Sequence, residues 1–489
     1  MSITKLTITG ILAMLLFYSC KQSSNPEELI ETEELTFEVN FNPIPPFDVP
    51  PNADSIDLIK FAWEEFIALN WKSSYSINGL RDNPDTSWNW GSSSDPFPDL
   101  AVWETYAHRT ELRPYSNVME PFNNPPHYSF GATLTPATFP DGSLASFTLF
   151  NNLDENNEIG SCNLYAHTNI YDQENMVLYQ AKVNRDEYEY IYNNYNTKEL
   201  LDTATSRTKT NIDKYNAYYE GATNSCDCPK EEGVLCLPCG DVETKTVGSI
   251  EIKTAWRLLV PEDTPSKYFT RNAIFYEKDN SGGITYSNKE FALIGMHIIH
   301  KTRNNEEFVF ATWEHVDVTE NNMGYVLLDN SGKETGPLYS NYSRYQEIPE
   351  IVKQSTQQVH SQISAMNSNS IWLNYQLVGV QGKPTNDSTS FSFFLANYVI
   401  ESDTTLNDFH GSSIGTPHDL KTNTLSNGQR FSMGGCQGCH GVAQTTLGAD
   451  FSFLMDNNGK PVNMPDLLDS IPPSEVAKLE KFIRATAKE

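Results

Sequence analysis

The sequence predicts an α+β fold: a strand-rich antiparallel body with several helices, closed by a small, mainly helical C-terminal part. Three observations predict it. Ile250 to Val260, Tyr268 to Tyr276, Phe291 to Thr302 and Phe308 to Val316 are short runs of aromatic and β-branched residues, the composition of strands. Arg303-Asn304-Asn305-Glu306 separates the last two at the length of a hairpin loop, which favours antiparallel pairing. Ser55 to Trp71, Arg185 to Thr205 and Pro349 to Met366 instead repeat their apolar residues at helical spacing.

Taken in order, the 489 residues begin with Lys5, a positive flank, and an apolar stretch of eleven residues from Ile8 to Tyr18, too short to span a bilayer permanently. Phe17-Tyr18-Ser19-Cys20 follows. It resembles the lipobox of bacterial lipoproteins, with small Ser19 before the cysteine and Phe17 where that family usually has Leu. The resemblance implies a signal peptide over residues 1–19 and acyl chains on Cys20 that fix the protein to a membrane by a lipid anchor. It also implies a bacterial envelope location, periplasmic or surface-facing.

Residues 20–51 read as a tether, acidic at Glu27, Glu28, Glu31, Glu33 and Glu34 and then rich in proline. Residues 52–425 read as the mixed α/β body. Its first helix, Ser55 to Trp71, places Ile59, Trp63, Phe66 and Ile67 on one face. Ser73 to Asp99 reads as a long loop, with Trp88 and Trp90 open to a binding partner. Glu104 and Arg109 form an ion pair at a domain edge or, alternatively, a catalytic pair. Cys226-Asp227-Cys228 and Cys236-Leu237-Pro238-Cys239 make a compact cluster that suits two local disulfides in an oxidising compartment or a zinc site. Cys162 is left over and can alter the pairing.

Residues 426–489 hold the stretch with the most specific chemistry, Cys436-Gln437-Gly438-Cys439-His440. Two thiols two residues apart, followed directly by an imidazole, suit addition to the two vinyl groups of one haem with the imidazole under the iron. Cys436 and Cys439 then hold haem c covalently and His440 is the proximal iron ligand; the alternative is a disulfide or redox CxxC with an incidental histidine. With Gly434, Gly435, Gly438 and Gly441 around it, and Pro473 to Ala487 at helical spacing after it, this part resembles a c-type cytochrome module. Val462-Asn463-Met464-Pro465 resembles the distal methionine segment of small c-type cytochromes, although only 23 residues separate Met464 from His440. That likeness implies Met464 as the distal iron ligand.

His297, His300, His315 and His410 are the other candidates for the sixth position. His297 and His300 lie three apart, so a strand sends them to opposite faces and only one can meet a buried haem. Gly295 to Thr302, Phe310 to Asp317 and Asn374 to Gly379 are also similar to stretches in large bacterial proteins that end in a single c-type haem motif.

A formal charge of −29 excludes nucleic acid as a natural partner. No nucleophile elbow, phosphate loop, zincin helix or dinucleotide fingerprint occurs, which disfavours hydrolase and nucleotide chemistry. The leading expectation is an envelope electron-transfer protein with one covalent haem and a redox partner protein. A haem-dependent oxidoreductase of peroxidase or oxygenase type, with an open sixth iron position, is the first alternative. An envelope binding protein with an accessory haem is the second.

Overall fold

The computed structural model describes residues 37–91, 95–113, 117–128, 149–155, 164–166, 177–219, 226, 235–259, 263–278, 281–318, 323–328, 334–338, 347–391, 393–400, 424–426, 429–455 and 465. Its helices are α1 (Ser55–Leu69), α2 (Tyr75–Asn78), α3 (Arg109–Leu112), α4 (Arg185–Tyr195), α5 (Lys198–Tyr219), α6 (Glu350–Met366) and α7 (Gly435–Val442). Its strands are β1 (Ala107–His108), β2 (Asn152–Leu153), β3 (Leu164–Ala166), β4 (Leu178–Val183), β5 (Ile250–Leu258), β6 (Thr270–Lys278), β7 (Ile284–Thr302), β8 (Asn305–His315), β9 (Met323–Leu328), β10 (Glu334–Leu338), β11 (Tyr375–Gln381), β12 (Thr424–Ser426) and β13 (Gln429–Phe431). The fold is α+β, built on a large and mostly antiparallel sheet.

Strand β7 organises that sheet. Its first half pairs with β6, from Ile284 opposite Lys278 to Ala292 opposite Thr270. Its second half pairs with β8, from Gly295 opposite Glu314 to Thr302 opposite Asn305. Strand β5 pairs on the other edge along the second half, from Leu258 opposite Phe291 to Ile250 opposite His300. Beyond β5 lie β4 and β1, beyond β8 lies β11, and β2 joins β6 in parallel. The β7–β8 hairpin turns on Arg303 and Asn304 alone, tighter than the four-residue loop expected, because Asp48 accepts from the Asn304 backbone and side chain and fixes the turn.

The two faces of the sheet are covered differently. On one, α1 and α6 cover the strands, and α1 packs aromatic side chains against them: Phe66 stacks on Trp313 at 4.8 Å, with Trp63 edge-on to the same ring at 6.0 Å. Such side chains contribute about 1.5–3 kcal/mol each when fully buried. Helix α1 forms because Asp54 and Asp57 cap each other's backbone at its start and one flank is continuously apolar. The other face carries α4, α5, residues 393–400 and α7.

Several expectations change. The helix expected over Arg185 to Thr205 is two helices, because Thr197 accepts from the Leu200 and Leu201 backbones and starts a second one. Trp88 and Trp90 do not stand open: Trp90 is buried, and both rings pack on Trp71 and on each other. The binding-protein alternative loses its local support. Glu104 pairs with Arg271, at 2.6 Å, whereas Arg109 pairs with Asp154 and Glu155. Phe37 to Val49, expected within the tether, lies on the body. Its backbone bonds to Gln358 and Gln362 of α6, and Phe37, Val39 and Val49 are buried. Among the described residues no helix is long and apolar enough to cross a membrane. Residues 1–19, Cys20, Cys162, Cys228, His410, Met464 and the expected helix from Pro473 to Ala487 lie outside the described residues.

Candidate haem site

The Cys436-Gln437-Gly438-Cys439-His440 motif lies in α7, on β8 and β11. Gly434 and Gly435 bring it in. A Cβ on Gly435 would sit 2.4 Å from the Gln381 side chain and 2.8 Å from the Leu395 backbone, and its φ of +69° suits glycine alone. The helical turn then puts Cys436, Cys439 and His440, at i, i+3 and i+4, on one side.

Gln437, between the two cysteines, is the residue that pins the motif. Its backbone N–H donates to Gln381 Oε1 at 2.8 Å, and its side-chain amide donates to the Gly382 carbonyl. Its carbonyl accepts from Thr424. Gln381 in turn donates to the Gly434 carbonyl at 3.1 Å, so two glutamines clasp α7 to the end of β11. Cys436 is buried and Cys439 half-buried, and both are thiols.

His440 is set by the chain that follows. Ala443–Leu447 forms a π-helical turn, closed by Gly448, and Asp450 and Phe451 then take positive φ values of 48° and 65°. Such strain costs about 1–3 kcal/mol per residue and persists only where the surroundings enforce it. Lys301 enforces it at 2.5 Å from the Asp450 carboxylate, which also accepts from the Leu237 backbone at 2.6 Å. The result aims the Phe451 carbonyl at His440 Nδ1, 2.5 Å away. A carbonyl can only accept, so Nδ1 carries the hydrogen and Nε2 keeps the lone pair. Burial, with the Lys253 charge adding to it, pushes the His440 imidazole down to about 4 against the Phe451 bond, so the ring is neutral at ordinary pH. Phe310 and Phe453 flank it, each with ring centroids 5.0 Å away.

The loop that holds Asp450 belongs to the other cysteine cluster. Cys226 and Cys239 are joined by a disulfide, and Cys236 is disulfide-bonded as well. Disulfides therefore replace the zinc alternative at these cysteines, and Cys228 lies outside the described residues. Among the described residues no three His, Cys, Asp or Glu converge as a metal site would require.

Three of the sequence candidates separate in space. His300 points to α1, with Nδ1 2.8 Å from Glu65 and Nε2 bonded to the Val247 carbonyl. His315 is stacked on Tyr268 at 4.1 Å, with its two nitrogens engaged by the Lys267 carbonyl and the Asp317 N–H. His297 shares the face of α7. Burial first, then the charges of His440 and Lys253, push it down to about 3. Lys253 stands directly across from it on β5 and pairs with Glu155 at 3.3 Å, beside Arg109 and Asp154. Lys253, Gln381 and Phe451 were not singled out from the sequence; no local pattern marks them, since each acts through a distant partner.

Comparison with protein-family models, with curated proteins and with solved structures found no match to this chain.

The donor set fits a covalent haem. Two thiols and a neutral imidazole with its Nε2 lone pair available lie on one side of a short helix, and the ring is oriented by a backbone carbonyl.

Proposed function

We propose that the chain is a covalent c-type haem protein of the bacterial envelope that acts in electron transfer. Cys436 and Cys439 are the attachment sites and His440 is the proximal ligand. Acylated Cys20 anchors the chain to a membrane, and a second redox protein is the partner. The observation that carries this reading is the Phe451 carbonyl on His440 Nδ1, which selects the tautomer an iron ligand needs and makes Nε2 more basic. A bound haem supplies one-electron chemistry there. The protein's part is to hold the ring between Phe310 and Phe453, keep it neutral by burial, and place the Lys253 charge nearby.

The test is expression with the c-type maturation apparatus, followed by a haem stain on a denaturing gel and intact mass. Covalent haem is expected in the native chain, and none in Cys436→Ala/Cys439→Ala. A folded native protein that carries no covalent haem under these conditions would sink the reading.

A further inference from the structure

We propose that His297 is the second axial imidazole, opposite His440, so that the iron is held by two histidines. This rests on the haem reading above and goes beyond it by naming the residue on the far side.

Strand geometry supplies the first support. Met296, Ile298 and His300 project to the α1 side, where His300 meets Glu65 and the Phe61 ring. His297, Ile299 and Lys301 project to the α7 side, where Lys301 meets Asp450 and Ile299 joins the cluster that contains Cys436. Across the β7–β8 ladder, His297 is opposite Thr312 and Ile299 is opposite Phe310. Phe310 is therefore the diagonal neighbour of His297 on that face, and such neighbours have Cα atoms about 7–8 Å apart. His440 rests on the same Phe310 ring. The strand register thus places His297 beside the aromatic side chain on which His440 rests.

The second support is how the remainder of that face is filled. Two residues before His297, Gly295 has no side chain, and Val399 occupies its place, with its methyl 2.5 Å from where a Cβ would lie. Thr312 is engaged by the Asn397 amide at 2.7 Å. Segment 395–399 thus covers the positions beside His297 on β7 and β8, Gly295 and Thr312, while the cluster that contains Cys436 of α7 packs on its other neighbour, Ile299.

The other described histidines are committed elsewhere. His108 caps α3 and meets Asp154, His315 is engaged at both nitrogens, His360 bonds the Tyr375 carbonyl, and His127 is exposed.

The test uses the full-length protein carrying its haem. The ferric paramagnetic resonance and near-infrared spectra of the native protein should show two imidazoles on low-spin iron, with no binding of carbon monoxide when reduced. His297→Ala should become high-spin and bind carbon monoxide, and added imidazole should restore the low-spin spectrum, which a merely structural residue would not allow. His297→Met should acquire the far-red band of thioether ligation and a higher reduction potential. A native spectrum of thioether-ligated or high-spin iron overturns the assignment, as does His297→Ala that stays bis-imidazole. Met464→Ala turning high-spin would identify Met464 instead and likewise overturn it. Should His297→Ala not fold, the native spectra decide alone. Absence of covalent haem would mark failure of the haem reading itself, which the gel detects before any spectrum is taken.

Discussion

The two faces of the sheet are made by the same strands and solve opposite problems. Toward α1 and α6, Ile252, Ile298 and Ala311 are buried and Trp313 meets Trp63 and Phe66, an apolar contact that needs shape and volume. Toward α7, the same strands present Glu251, Lys253, His297 and Lys301, all in the interior or at its edge. Glu187 of α4 faces Glu251, and Asp450 lies beside both. Charges taken out of water are expensive unless matched by partners, and here each partner comes from another part of the chain. Aromatic packing dominates one face, with the buried His300–Glu65 pair among it; the other depends on several specific pairs, and that face holds the cysteines and His440.

The contrast can be broken by mutation. On the apolar side, Trp63→Ala should cost about 3–5 kcal/mol in urea unfolding, with little dependence on pH. On the polar side, Lys301→Met should cost a similar amount, about 3–5 kcal/mol, by leaving the Asp450 carboxylate without its cation. Asp450→Asn in the Lys301→Met background should recover much of that loss, since the orphan charge is gone. A Lys301→Met protein as stable as the native one would show that the polar face is not held by its pairs.

A pH series sharpens the comparison. Burial raises both Glu187 and Glu251, the latter to about 7, against an ordinary value near 4.5. A carboxyl raised on folding stabilises the native state fully below its unfolded value, and the contribution fades as pH climbs through the folded one. Stability should therefore fall between about pH 4.5 and 7 by a few kcal/mol. Glu251→Gln should flatten the curve in that window, and an unchanged slope would place the titration elsewhere.

Smaller effects follow. Opening Cys226–Cys239 with paired serines should lower stability by about 3 kcal/mol or less, the loop it closes being only 13 residues. Its signature on the polar face should be a loosened Asp450, read as faster amide exchange at Leu237, whose N–H that carboxylate accepts. Lys60→Ala removes a surface pair with Glu64 at 3.9 Å and should change stability by about 0.5 kcal/mol at most, the baseline for the other variants.

What the sequence disclosed follows the same division. Alternation and helical spacing are local, so the β5, β7 and β8 strands, α1 and α6 were legible, as was the opposition of His297 and His300. The grouping of Cys436, Cys439 and His440 on one side of a short helix was legible because the motif is written in five adjacent residues, and the haem proposal rests on it. Partners that meet only after the sheet forms were not. Arg271 reaches Glu104 across 167 positions, and Gln381 reaches Gln437 across 56. Trp88 and Trp90 sit among Gly, Ser and Asn, so their burial on Trp71 has no periodic signal.

The clasp on Gln437 has a consequence for the order of events in biogenesis. Its side chain is entirely inside the protein, bonded to carbonyls of β8 and of the residue after β11, and in the chain it stands between the two cysteines. An enzyme that must grip both thiols and a prosthetic group together needs that segment peeled away from the body. On the haem proposal, attachment belongs to the time before α7 docks, while the Gln437 bonds are still open. On that proposal the glutamine clasp is a latch that closes after the linkage is made.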